Sequence, residues 1–169
     1  MSIFSPTMMK NRITDITVED LKSLGIKGIL LDVDNTLTKF HSQVLTKEVE
    51  QWLQTIANAG FKLTVVSNGL PKRVRPFTKK IGLESVSFSC KPSPLGFWRG
   101  AKRLGCSLKE VVAIGDQIFT DVVGAHIARV KVIQVMPIEL ETNRPSIMFK
   151  RKLEKRFNRR YIKKHGVEL

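Results

Sequence analysis

The chain has 169 residues, 42% of them apolar, and a formal net charge of +14, which suits one domain with a hydrophobic core and leaves too little for two. No apolar run approaches the roughly 18 residues that cross a bilayer, and Pro6, Lys10 and Arg12 interrupt any signal-peptide core, so a cytoplasmic start is expected. Cys90 and Cys106 are too few for a disulfide framework or a four-ligand zinc site, and the excess charge is concentrated, with ten Lys and Arg against two acids in residues 144–169.

Thr17, with Glu19 and Asp20 behind it, reads as a capped helix start, so a short helix is expected over 18–24, stopped by Gly25. Ile29 to Leu31 is an apolar run of β type and reads as a buried strand. Thr46 caps a second helix that carries Val49, Trp52, Leu53 and Ile56 on one face and ends near Gly60. Leu63 to Val66 is the next buried strand, followed by Ser67, Asn68 and Gly69. A basic helix over 73–81, a short strand over 86–88 and a helix over 95–104 come next. Strong strands at 111–114 and 132–135 flank a helix over 120–129. This alternation predicts right-handed crossovers and an α/β, Rossmann-like three-layer sandwich around a mainly parallel sheet.

From Pro145 the character changes. Phe149, Leu153, Phe157 and Tyr161 recur every four residues among basic side chains, the pattern of a basic amphipathic helix. The expected division is therefore 1–143 as the sheet domain and 144–169 as a helical tail. Its stripe can pack on the sheet, or serve an anionic membrane surface or a nucleic acid.

Polar groups that no core requires stand at successive strand ends: Asp32 and Asp34, Ser67 and Asn68, Lys91, and Asp116 with Asp121. Singly, each has an ordinary structural use as a turn residue, a solvated lysine or a first-turn acid. Together they fit phosphoryl transfer. Asp32, Asp34 and Asp116 would gather round a hard divalent cation, with Mg²⁺ the obvious choice. Ser67, Asn68 and Lys91 would hold the phosphoryl oxygens. Asp32 is the candidate nucleophile, and Asp34 the group that protonates the leaving oxygen and then activates water.

The order Asp32-Val33-Asp34-Asn35-Thr36, Ser67, Lys91-Pro92 and Gly115-Asp116 with Asp121 resembles the four signatures of the haloacid dehalogenase-like phosphohydrolases. The resemblance implies an aspartyl-phosphate on Asp32 and general acid/base chemistry at Asp34. It implies phosphate contacts from Ser67 and Lys91, and metal binding by Asp32, the main-chain carbonyl of Asp34 and Asp116, with Asp121 assisting. The short spacings from Asp34 to Ser67 and from Ser67 to Lys91 leave no room for a substantial cap domain, so an open site is expected. Within that superfamily the chain is similar to the capless class III phosphatases of the YqeG group. Those resemble the mitochondrial phosphatases that convert phosphatidylglycerophosphate to phosphatidylglycerol.

The expected activity is therefore Mg²⁺-dependent phosphomonoester hydrolysis, with phosphatidylglycerophosphate as leading substrate and peripheral attachment to the inner face of the cell membrane. The alternative substrates are nucleic-acid ends or soluble phosphometabolites, and the non-enzyme alternative is an RNA- or ribosome-binding scaffold.

Overall fold

The structure is a computed structural model that describes residues 2–139 and 145–167. Six strands form one sheet: β1 (Met8–Lys10), β2 (Gly28–Leu31), β3 (Lys62–Val66), β4 (Glu84–Val86), β5 (Val111–Gly115) and β6 (Lys131–Val135). Their spatial order is β1-β6-β5-β2-β3-β4 and every pairing is parallel. The helices are α1 (Val18–Ser23), α2 (Lys47–Asn58), α3 (Pro71–Lys80), α4 (Leu95–Leu104), α5 (Val123–Ala128) and α6 (Pro145–His165).

The period-2 alternation of the strands divides the core in two. Ile29, Leu31, Val112 and Ile114 join Leu21, Trp52, Ile56 and Phe77 on one face. Leu30, Val111 and Ala113 join Phe97, Ala101 and Val122 on the other. With both faces covered by helices, the α/β three-layer sandwich expected from the sequence is the fold observed. The boundary expected at 143/144 lies outside the described residues.

Most elements fall where the sequence places them. Thr17 accepts from Asp20 N at 3.0 Å while Asp20 Oδ2 accepts from Thr17 N at 2.9 Å, closing a capping box. Three differences matter. The strand expected over 86–88 is Glu84–Val86, because its polar residues pair at the sheet edge beside β3. Edge strand β1 was not expected; it exists by pairing Met8 and Met9 with Ile133 and Gln134. The helix expected over 120–129 begins earlier, as one wide π turn over Ile118–Val122 that runs into α5.

The topology also fixes where chemistry can sit. From β2 the chain crosses to β3 and β4 on one side, and later returns to β5 and β6 on the other. The carboxyl ends of β2 and β5 therefore flank the crevice at which open parallel sheets bind ligands.

Candidate active site

β2 and β5 deliver Asp32 and Asp116 side by side, and Asp32 N donates to Ile114 O at 2.9 Å to hold the two loops together. The π turn after β5 brings Asp121 back over Gly115. A Cβ on Gly115 would lie 2.4 Å from Asp121 Cγ, so only glycine allows that approach. Carboxylate oxygens of Asp32, Asp116 and Asp121 all lie within 4.8 Å of one another, and the three residues are buried.

Lys91 enters from the loop after β4. Its buried ammonium donates to Asp32 Oδ1 at 2.5 Å and to Asp121 Oδ1 at 2.7 Å. The loop that carries it is pinned by Asn68, whose Oδ1 accepts from Lys91 N at 2.7 Å and from Ser89 Oγ at 2.9 Å, while its Nδ2 donates to Lys91 O at 3.0 Å. Asn68, expected on the phosphoryl oxygens, is thus engaged in bracing Lys91. Ser67 is buried beside it, and its Oγ accepts from Gly69 N at 3.1 Å, which leaves the hydroxyl hydrogen for another acceptor.

Asp34 points elsewhere. Its Oδ1 accepts from Arg73 Nη1 at 2.8 Å and from His41 N at 2.9 Å, and its Oδ2 accepts from Arg73 Nη2. Arg73 reaches it by folding across Gly69, where a Cβ would lie 2.7 Å from the guanidinium. The side chain of Asp34 therefore stands outside the Asp32/Asp116/Asp121 cluster, on the side of the α3 N-terminus. The chain turns immediately after it at Asn35, whose φ is 60°, a left-handed conformation that asparagine tolerates.

A second cation comes from α6. Arg151 Nη2 donates to Asp116 Oδ2, and Nη1 donates to Asp116 O at 3.2 Å and Glu154 Oε2 at 3.0 Å. Glu154 Oε1 accepts from Ile118 N at 2.7 Å. Sequence reasoning passed over this pair; the available signal was that Glu154 is the single acid in a helix crowded with Lys and Arg. Below it, Phe157 stacks on Phe4 with ring centroids 4.7 Å apart and meets Phe119 edge-on.

The electrostatics follow from burial. Desolvation, opposed by the Lys91 charge and reinforced by Asp121 and Asp34, pushes the pKa of Asp32 up to about 7. Asp116 is driven well above the ordinary carboxylate range by burial, against the pull of Arg151 and with Asp121 and Asp32 adding repulsion. Burial disfavours the charged form of Lys91, but Asp121 and Asp32 outweigh it and raise its pKa. Asp116 Oδ1 is buried with no hydrogen-bond partner. Three close buried carboxylates, with the pKa values of Asp32 and Asp116 raised and one Asp116 oxygen orphaned, are the donor set a hard divalent cation would satisfy.

Two family profiles match the chain, one described as haloacid dehalogenase-like hydrolase over residues 42–129 and one as mitochondrial PGP phosphatase over residues 1–81. The chain belongs to the haloacid dehalogenase-like hydrolases. It is 33% identical over 135 residues to the probable phosphatase YqeG of Bacillus subtilis (strain 168), covering 80% of this chain and 78% of that protein. It is 29% identical over 114 residues to phosphatidylglycerophosphate phosphatase 1, chloroplastic/mitochondrial, of Arabidopsis thaliana, a match that covers 62% of this chain and 33% of the relative. Among solved structures, the cobalt-bound form of the deoxy-D-mannose-octulosonate 8-phosphate phosphatase YrbI from Haemophilus influenzae superposes with a TM-score of 0.55 at 17% identity, over 68% of this chain and 70% of that one. At that identity the likeness concerns the fold.

Proposed function

We propose that the protein is a divalent-cation-dependent phosphomonoesterase that works through an aspartyl-phosphate, and that its substrate is phosphatidylglycerophosphate at a membrane surface. The observation that carries the chemistry is the convergence of Asp32, Lys91, Asp116 and Asp121 on one crevice, with Ser67 buried at the neighbouring end of β3. Asp32 Oδ attacks phosphorus in line, the bond from phosphorus to the ester oxygen breaks, and Asp34 gives that oxygen its proton. Asp34 then takes a proton from water, which attacks the aspartyl-phosphate and releases inorganic phosphate. In the structure Arg73 and His41 N hold the Asp34 carboxyl outside the acid cluster, so Arg73 must release it for Asp34 to turn toward the ester oxygen and carry the proton.

Lys91 and the Ser67 hydroxyl stabilise charge on the phosphoryl oxygens, and Asn68 keeps Lys91 at its station. Mg²⁺, the cation we assign, would be held by Asp32, Asp116, the Asp34 carbonyl and, directly or through its orienting contacts, Asp121. When bound it would neutralise phosphoryl charge. Electron demand at phosphorus otherwise rests on Lys91, whose ammonium already touches the nucleophile.

The lipid reading is supported by the profile match to mitochondrial PGP phosphatase and by what surrounds the site. Val44, Leu70, Phe88, Ile138, Met148 and Phe149 are exposed apolar side chains, and they stand in segments that leave the carboxyl edge of the sheet or adjoin Arg151. Basic residues flank them along α6, the combination that favours an anionic interface. Among the described residues no helix is long and apolar enough to cross a membrane, so attachment would be peripheral. Residues 1–143 would then be the catalytic unit and 144–169 the basic helix that serves it.

The test is phosphate release with Mg²⁺ from phosphatidylglycerophosphate in mixed micelles, beside soluble phosphomonoesters and a 3′-phosphorylated oligonucleotide. A strong lipid preference, lost in Asp32→Asn, is expected. Preference for the soluble esters or the oligonucleotide would overturn the lipid substrate, and hydrolysis of none would overturn the phosphatase reading.

A further inference from the structure

Helix α6 is rotated so that one ion pair is buried while Met148 and Phe149 of its apolar set stay exposed among the solvated basic side chains. Phe149 is 65% exposed, whereas Arg151 and Glu154 are 8% and 4% exposed. Burying two charged side chains carries a desolvation penalty that a helix docked only by its apolar stripe would avoid. The phase of α6 is therefore set by its contact with the β5 loop as well as by Phe157 and Tyr161.

That contact is specific. Arg151 grips Asp116 at two points, the Oδ2 atom and the backbone carbonyl, and leaves Oδ1 as the buried oxygen without a partner. Glu154 ties the same guanidinium to Ile118 N, at the start of the turn that carries Asp121. One ion pair on α6 thus bridges Asp116, at the end of β5, and Ile118, the first residue of the turn that carries Asp121. An arginine alone would cancel one of those negative charges. Glu154 restores it, so the pair can orient the acids without weakening their attraction for a divalent cation.

We propose that Arg151, braced by Glu154, is a positioning residue for the candidate cation site, and that α6 is therefore part of the active site rather than an appendage to it. The inference rests on the reading that Asp32, Asp116 and Asp121 hold a divalent cation. Its test is the affinity of the full-length protein for Mn²⁺ alone, measured by calorimetry or by loss of the free-ion spin-resonance signal, with no substrate present. Partners that orient a metal-ligating side chain typically govern affinity by about 10- to 100-fold, so Arg151→Ala should weaken Mn²⁺ binding at least about 10-fold. Arg151→Lys, which keeps the charge but loses the two-pronged grip, should fall between, and Glu154→Gln should also weaken binding. Phe157→Ala loosens the docking of α6 without touching Asp116, and should lower the melting temperature more than it lowers Mn²⁺ affinity.

Circular dichroism establishes that each variant is folded, and Arg151→Lys and Glu154→Gln decide the matter if Arg151→Ala does not fold. Unchanged Mn²⁺ affinity in the folded Arg151 and Glu154 variants would overturn the inference and leave the pair a docking contact. Tighter binding would also overturn it, by making Arg151 a competitor of the cation. A wild-type protein that binds no Mn²⁺ overturns the cation-site reading itself and this inference with it, an outcome distinct from the other two.

Discussion

Asp32→Asn should make the metal-free protein more stable while abolishing turnover, because the nucleophile is a charge the fold would rather not bury. Moving an aspartyl pKa from about 4 in an unfolded chain up to about 7 in the native state corresponds to about 4 kcal/mol. Between those pH values the native protein keeps a proton that the unfolded chain has released. Stability therefore falls as pH rises through the window and levels off above it. Asparagine has no such proton, so the variant lacks the fall. Lys91 loses one of its two carboxylate partners when Asp32 becomes neutral and keeps only Asp121, which returns part of the gain. The expected advantage of Asp32→Asn is about 1–3 kcal/mol at pH 8 and close to zero at pH 4. Urea denaturation of both proteins in chelator, in steps from pH 4 to pH 8, reads this directly. Excess Mg²⁺ should then stabilise the wild type more than the variant. A variant less stable than wild type at pH 8, or a difference that does not change with pH, would refute the reasoning.

Other substitutions probe the remaining contacts. Gly115→Ala places a methyl group 2.4 Å from Asp121 Cγ, so Asp121 must move; kcat should fall at least about 10-fold and the Mg²⁺ concentration for half-maximal rate should rise in a metal titration. Lys91→Met leaves Asp32 and Asp121 without their shared ammonium. It should cost about 3 kcal/mol at neutral pH by chemical denaturation and reduce phosphate release at least about 100-fold. Phe157→Ala removes a half-buried ring from between Phe4 and Phe119 and should destabilise by about 2 kcal/mol in thermal melts.

How much of this was legible in the sequence depends on whether a segment's structure is decided locally. β2 and β5 were readable because unbroken apolar runs with both faces buried can hardly be anything else in an alternating chain. Their terminal acids were readable for the complementary reason, that charge at the end of such a run needs a use. β1 was not readable, since Met8-Met9-Lys10 carries no alternation and becomes a strand only by pairing with β6. Asn68 looked like a phosphate ligand because its neighbour Ser67 did; only the loop from β4, folded back 23 residues later, shows it holding Lys91.

The helix at the C-terminus was recognised, but its buried face was not. Residues four apart advance about 40° per step around a helix, so the recurrence of Phe149, Leu153, Phe157 and Tyr161 winds away from a single face. The structure accordingly buries Tyr161 and exposes Phe149. Arg151 and Glu154 fill the rest of that face, and their partners Asp116 and Ile118 lie more than 30 residues away. No local pattern encodes such a contact. A lone acid in a basic helix was the only trace of it.

The central claim is that Asp32 carries the phosphoryl group during turnover. A single-turnover experiment with a ³²P-labelled phosphomonoester that the enzyme hydrolyses, quenched in acid within milliseconds, tests it most directly. The mechanism predicts a transient, acid-stable, hydroxylamine-sensitive label on the peptide that contains Asp32, formed before free phosphate and absent from Asp32→Asn. Phosphate release at the same rate with no protein-bound label at any time, or full turnover by Asp32→Asn, would contradict it.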